Sequence, residues 1–430
     1  AAEAGLKVAL VERKAQNDIG RKICGDALGE HHIKNVGLQD PPEEAIEARI
    51  EGIKIYSPDL ETVFTVKHED FSGYLLDRKL FGQWLLEMAL DAGATLMDST
   101  LCLEPIIEDK TVTGISAKNL KTNRKLRLKS KVVVDSSGFL AIIRRKLPEE
   151  MKIEKEISNE DVEACYREIR QLKEEKQTRY CEIYLDQNIT PGGYTWLFYK
   201  SGSKVNAGLG VCMKKSFPNP KTQFYKHILS KPVFNGSTII DAGAWYDPTR
   251  RPLDNMVANG VIITGDAACL VNPIHGGGIG PSMISGFLAG KTIAEALEEG
   301  DVSQKALWQY NLKYMDSYGG KQAALDVFRL LLITCSNDDL NYGMKYKLLT
   351  EEDVLKAGLG EKFHLNITDA ARRVFRGLKR LSFLNKLRVT VNLMNKIKEH
   401  YKNYPESPDN FEAWKTETER LFQEARLKLL

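Results

Sequence analysis

Apolar and polar positions change period several times along this chain. A short helix-compatible opening turns at Gly5, and Val8 to Val11 then form an unbroken apolar run of the kind a buried strand needs. A turn-rich stretch around Asp40, Pro41 and Pro42 leads into EGIKIYSPDLETVFTV, where alternation at period two predicts strands. From Leu80 to Ala92 the apolar residues recur at helical spacing, and Gly93 ends the helix. RLKSKVVVDSSG reads as a buried strand running into a glycine turn.

Residues 151–180 are densely charged and read as a connector between lobes. YCEIYLD, GGYTWLFYK and KVNAGLGVCM follow as successive strands of an antiparallel sheet covering one face of a pocket. GVIITGDAACLVNPIHGGGIGPSMISGFLAGKTIAEAL then reads as an apolar strand, a glycine-rich turn and a long helix. After about residue 300 the pattern is almost wholly helical, with basic and aromatic residues mixed along 371–404 and an amphipathic helix near 411–428. Neither an internal repeat nor a low-complexity segment interrupts it.

A chain of 430 residues is too long for one ordinary core, so two or three lobes are expected. Its 43% apolar and 28% charged residues are those of a soluble globular protein, with no run near the roughly 20 apolar residues of a membrane span. Any membrane contact is therefore expected to be peripheral. With 61 basic against 58 acidic residues the formal charge is +3, which gives no reason to expect nucleic acid as a partner. Seven cysteines form no Cys-x-x-Cys pair and leave an odd one over, arguing against a zinc site or a secreted disulfide framework and for a reducing cytoplasm. The Lys and Glu content also suits a thermophile, in which a single intracellular bridge is compatible. The chain carries no signal-peptide pattern, and it reads as entering near the end of the first helix of a dinucleotide-binding unit, without the Gly-x-Gly-x-x-Gly fingerprint.

Candidate chemistry concentrates in a few places. Glu12 ends the VALV strand, where an acidic residue can accept hydrogen bonds from both ribose hydroxyls of an adenine dinucleotide; plain solvation is the competing reading. Gly265-Asp266 follows a strand, and Gly276, Gly277, Gly278, Ile279 and Gly280 precede a helix whose free N–H groups and positive end face a ligand, unless the turn is purely structural. Beside a flavin, such a helix start would stabilise charge at the N1 and O2 edge, while Asp266 would bind ribityl hydroxyls. Tyr194, Trp196 and Phe198 share one strand face, as a wall for a long apolar chain or as ordinary core. Cys24 reads equally as a pocket residue or a small buried hydrophobe, and His275 as a backbone cap. Residues 371–400 carry nine Arg or Lys and one Glu among Val374, Phe375, Leu378, Leu381 and Leu384, a pattern fit for anionic lipid or for a solvated helix face.

Taken in order, Glu12, Arg78 in YLLDRKLFGQWLL, the DSSG turn at Asp135 to Gly138 and TGDAACLVNPIHGGGIG resemble the motifs of the flavoprotein group that contains aromatic hydroxylases and geranylgeranyl reductases. Cys24-Gly25-Asp26 and Tyr194-x-Trp196-x-Phe198 narrow the resemblance to the geranylgeranyl reductases of archaeal lipids, and it runs through the whole chain, SNDDLNYGM at 336–344 included. The resemblance implies an α+β and α/β fold. A Rossmann-like FAD-binding domain of the hydroxylase or glutathione-reductase type (1–50, 77–155 and 255–300) would carry an antiparallel-sheet substrate domain (51–76 and 156–254) and a helical C-terminal region (301–430). It also implies FAD as cofactor, with Glu12 on the adenosine ribose, Arg78 near the pyrophosphate and the Cys102 backbone near the adenine. Asp266, Gly278 and Ile279 would hold the ribityl and ring end, and Cys24, Gly25 and Ala27 would line the reaction side. The absent first glycine motif and Tyr199, where relatives often have proline, depart from the pattern.

The activity implied is saturation of geranylgeranyl C=C bonds in archaeal membrane-lipid precursors, by hydride from reduced flavin plus a proton. Because an isolated trisubstituted alkene resists hydride, protonation must lead or accompany transfer in a dry pocket; ordered water and Cys24 are the candidate acids. Ferredoxin or another donor would supply electrons. An FAD-dependent monooxygenase of an apolar substrate and a flavin-free prenyl-lipid carrier are the alternatives, since fold does not fix function.

Overall fold

A computed structural model describes residues 1–67, 72–214, 216–359 and 380–430, with the side chains of 356–359 excepted. The basic residues of 371–379 lie outside the described residues.

A seven-stranded sheet dominates the middle of the chain, in the order Thr238–Asp247, Glu163–Gln171, Lys204–Cys212, Thr195–Tyr199, Tyr180–Tyr184, Gly52–Tyr56 and Val63–Lys67. The three strands expected from YCEIYLD, GGYTWLFYK and KVNAGLGVCM are present, each antiparallel to its neighbour. Tyr180–Tyr184 runs parallel to Gly52–Tyr56, so the sheet as a whole is mixed. Thr195–Tyr199 shows why this sequence makes an interior strand: Trp196 and Phe198 pack on one face and Leu197 and Tyr199 on the other. Phe224 and Ile228, from the π-helical turn Phe224–Ile228, join Phe234 in closing that second face.

Residues 151–180 are more than a connector. They contain Glu163–Gln171, hydrogen-bonded on both edges and almost entirely buried. Its charges are masked by distant partners: Arg167 pairs with Asp241 at 2.7 Å, and Arg170 bonds the Glu168 carboxylate and the Ser237 hydroxyl. A charge pattern that looks solvated is therefore compatible with the interior.

Beside this sheet, Ala9–Val11 pairs in parallel with Thr95–Met97, and Val133–Asp135 in parallel with Val261–Ile263. Gly73–Leu76 joins Ala27–Gly29 and Ile46–Ile50 in a separate three-stranded sheet. The helix predicted over 80–92 is Arg78–Asp91, capped by the Asp77 carboxylate, which accepts from the N–H groups of Lys79 and Leu80. The long helix Ile279–Glu298 packs on the largest core, which also takes Trp308, Tyr310 and Tyr314 and the tail residues Trp414, Leu421 and Phe422. The described part of the tail is helical as its periodicity predicts; Leu381–Lys402 lies along Gly320–Leu332 and is followed by Phe411–Leu429. All seven cysteines are free thiols, and no described helix is long and apolar enough to cross a membrane.

Candidate active site

The parallel strands Val133–Asp135 and Val261–Ile263 end together, which brings the DSSG and TGD turns side by side, with the Ser136 and Thr264 hydroxyls 2.8 Å apart. The buried Asp135 carboxylate holds its own turn closed by accepting from the N–H groups of Ser137 (3.0 Å), Ile143 (3.2 Å) and Arg144 (2.8 Å). At the next turn Gly265 has a φ of 58° and delivers Asp266, whose buried carboxylate meets the Lys22 ammonium at 2.9 Å. Burial opposes the Lys22 charge, but Asp266 outweighs it, so the lysine pKa is raised. A Cβ on Gly278 would stand 3.1 Å from the other Asp266 oxygen, and Gly278 opens the long helix without a side-chain cap. Acid, ammonium and the positive end of a helix thus converge at one turn cluster.

The second wall is built around the Cys24-Gly25-Asp26 turn. Asp26 takes a left-handed conformation (φ 68°) and buries its carboxylate, which accepts from Lys200 Nζ at 2.7 Å and Asn206 Nδ2 at 2.7 Å. Asn206 Nδ2 also donates to the Cys24 carbonyl at 2.8 Å, while its own oxygen accepts from the Trp196 indole at 3.0 Å. The turn is thereby fixed above the aromatic strand: a Cβ on Gly25 would lie 3.1 Å from the Phe198 ring. Tyr194, Trp196 and Phe198 do share a face, as period two predicts, and belong to the cluster that also takes in Ala27, Ile50 and Leu75. Gly208 leaves room for Trp196, whose ring would sit 2.3 Å from a Cβ there. Tyr199, the departure from the family pattern, points to the opposite face. Burial pushes the Cys24 thiol pKa up, the nearby Arg78 charge only partly offsetting it.

Glu12 and Cys102 form a further locus. The Glu12 carboxylate accepts from the Lys14 N–H at 2.8 Å, and its carbonyl from the N–H of Thr100 at 2.8 Å, which starts the strand carrying Cys102. The Arg78 charge acts on both Lys14 and Cys24, to lower the pKa of each. The Arg78 Nε is buried without a hydrogen-bond partner among the described residues.

His275 behaves as the sequence suggests: its Nδ1 accepts from the Gly277 N–H at 3.2 Å, and its carbonyl from the Tyr194 hydroxyl at 2.6 Å. The ring is exposed, and the surrounding protein lowers its pKa to about 4, by desolvation first and then by the charge of Lys321. Below it lie groups that sequence reasoning missed. Asp247 stands directly opposite Glu163 across the sheet, and Lys22 precedes the Cys24 turn. The period-two placement of Glu163 and Cys165 on one face was the available signal, hidden by reading 151–180 as a connector.

Comparison with known proteins places this geometry. The solved structures it resembles include a geranylgeranyl bacteriochlorophyll reductase-like protein from Thermoplasma acidophilum (TM-score 0.76, 21% identity, 90% of this chain and 94% of that one). A flavin-dependent brominase follows the same path (TM-score 0.64, 19% identity, 88% and 94% covered). These likenesses show the class of fold, one that this chain shares with flavin-dependent halogenases and with that reductase-like protein. The geranylgeranyl reductase catalytic domain matches residues 161–244, and the digeranylgeranylglycerophospholipid reductase of Sulfolobus acidocaldarius is 43% identical over 98% of this chain and 93% of its own length. That of Methanothrix thermoacetophila is 30% identical over 84% of this chain and 89% of its own. The chain belongs to the archaeal geranylgeranyl reductase family.

Proposed function

We propose that this chain is an FAD-dependent reductase that saturates C=C bonds in the geranylgeranyl chains of archaeal membrane-lipid precursors. The observation that carries the reading is the Cys24-Gly25-Asp26 turn pinned by Lys200 and Asn206 against Trp196 and Phe198, with the Asp266 turn cluster beside it. A polar cradle next to an aromatic wall suits a flavin facing an apolar chain.

The residues fit the cofactor. The orphan Nε of Arg78 suits an anionic pyrophosphate, and the uncapped helix start at Gly278 suits a ligand edge that gathers negative charge. On this reading Glu12 takes the adenosine ribose and the Cys102 backbone flanks the adenine. Asp266, with Gly278 and Ile279, holds the ribityl and ring end, and Cys24, Gly25 and Ala27 line the reaction side. When bound and reduced, the flavin supplies a hydride. Residues 51–76 and 156–254 shape the lipid side, where Tyr194, Trp196 and Phe198 exclude water and hold the prenyl chain. Ferredoxin or another external donor returns the electrons, and the enzyme meets its lipid at the membrane surface.

The test is the visible spectrum after FAD addition, then anaerobic reduction with dithionite and mass spectrometry of added geranylgeranyl lipid. Flavin uptake with mass gains in steps of two hydrogens supports the reading. Flavin uptake with intact alkenes and oxygen-dependent oxidation of an apolar substrate would replace it with a monooxygenase.

A further inference from the structure

The reaction proposed above needs a proton as well as a hydride, and this inference rests on that reading. Glu163 and Asp247 are directly opposed on neighbouring antiparallel strands, so their side chains leave the same face of the sheet. That face also carries Cys165, Tyr194, Trp196 and Phe198. Glu163 is buried, 7% exposed. It occupies the space left by Gly210, where a Cβ would stand 2.8 Å from its Oε2 and 3.2 Å from Cys165 Sγ. Asp247 accepts from Cys165 Sγ at 3.6 Å and borders the glycine turn, 4.0 Å from where a Gly276 Cβ would be. Two acids are therefore stacked from the sheet interior to the rim of the cleft.

We infer that Glu163 and Asp247 act as one proton store, Asp247 presenting to the cleft the proton that the prenyl alkene takes up. Two carboxylates held together away from water cannot both ionise readily, so the pair keeps one proton at neutral pH. The charges around them agree. Asp247 feels burial first, then Asp266, with Lys22 and the Cys165 thiol opposing, and its pKa rises to about 7. Glu163 feels burial and then Asp247, with Arg329 opposing, and rises to about 8. The Cys24 thiol, pushed up by burial, is a weaker acid than either carboxyl.

The balance closes for each double bond. The hydride from the reduced flavin supplies the electron pair of one new C–H bond; the alkene π pair binds the proton given up by Asp247 and makes the other. The pair is left doubly ionised and recovers one proton from water. A flavin held by these residues would supply the hydride, and an external one- or two-electron donor would have to restore it before the next double bond.

The experiment uses the full chain, with and without FAD, in infrared titration of its protonated-carboxyl band, run alongside saturation of a geranylgeranyl lipid under dithionite. The expected result is a protonated carboxyl at pH 7 that disappears on going alkaline, is weakened in D247N and in E163Q, and is lost in the double variant. D247N should also lose about a hundredfold in saturation rate while retaining flavin absorbance, with partial recovery in D247E, which keeps the carboxyl and controls for folding. The proposal falls if both carboxylates are ionised at pH 7, or if D247N/E163Q saturates lipid at the parent rate. A parent chain that takes up flavin but leaves every alkene intact overturns the reductase reading and the proposal together; loss of the carboxyl store alone leaves that reading standing.

Discussion

Lys200 and Asp26 meet at 2.7 Å with 2% and 1% of their side chains exposed, so an ion pair wholly removed from water anchors the turn that carries Cys24. Breaking it strands a buried charge. Lys200→Met is expected to cost about 3–5 kcal/mol in unfolding free energy, and adding Asp26→Asn should recover part of that loss because asparagine keeps the left-handed turn and carries no charge. Urea denaturation of the single and double variants measures both; strictly additive losses would contradict the pairing.

Gly208 is a packing requirement. A Cβ there would stand 2.3 Å from the Trp196 ring and 2.6 Å from Arg167 Cβ, so Gly208→Ala must displace the indole. A loss of about 1–3 kcal/mol is expected, with a shift of the indole N–H resonance that reports the bond to Asn206. An unmoved resonance would mean that the sheet yields instead.

Arg78 presents a different balance. Its buried Nε lacks a partner among the described residues, so Arg78→Met should leave thermal stability unchanged or slightly higher. Flavin affinity should fall by about ten- to a hundredfold, the worth of a charged hydrogen bond. Fluorescence quenching of added FAD gives the affinity, and an unchanged value would remove Arg78 from the binding path.

His32 lies against the first turn of the long helix, where a Gly280 Cβ would fall 2.2 Å from its ring. Burial first, and then the charges of His31, Lys321 and His275, depress its pKa from 6.5 to about 3. The unfolded chain therefore binds this proton more readily, so the histidine's contribution is complete above pH 6.5 and is lost as pH falls toward about 3. Chemical denaturation at stepped pH should show a shallower acid decline in His32→Gln than in the parent.

Glu163 works in the opposite sense. Its folded pKa of about 8 lies above the ordinary 4.5, so its contribution is complete below pH 4.5 and is lost as pH rises through about 8. Glu163→Gln should gain stability relative to the parent across that window and hold the gain at higher pH. A difference independent of pH would show that Glu163 is ionised in the folded chain throughout.

The parts of this site that could be read from sequence are those whose constraint is local. Gly265 and the run around Gly278 announce backbone that must turn sharply or be approached closely, and the structure sets both against Asp266. Tyr194, Trp196 and Phe198 fall on one face because a strand has period two, and the described part of the tail is helical because its apolar positions recur at helical spacing. Strand Glu163–Gln171 escaped because its charges are neutralised from afar, Arg167 by Asp241. The opposition of Glu163 and Asp247 escaped for a related reason: cross-strand register joins residues 84 apart, and no spacing along the chain encodes it. The fixing of Asp26 by Lys200, 174 residues later, is of the same kind.

Lys22 and its partner Asp266 are separated by 244 residues. A ribosome adding about 5–20 residues per second needs roughly 10–50 s to travel between them. Throughout that interval the nascent Cys24 turn has neither its carboxylate brace nor the helix start that completes the cradle. Loading of any ligand that spans both halves must wait until translation has passed the long helix, so newly made copies depend on whatever shields their apolar strands in the meantime.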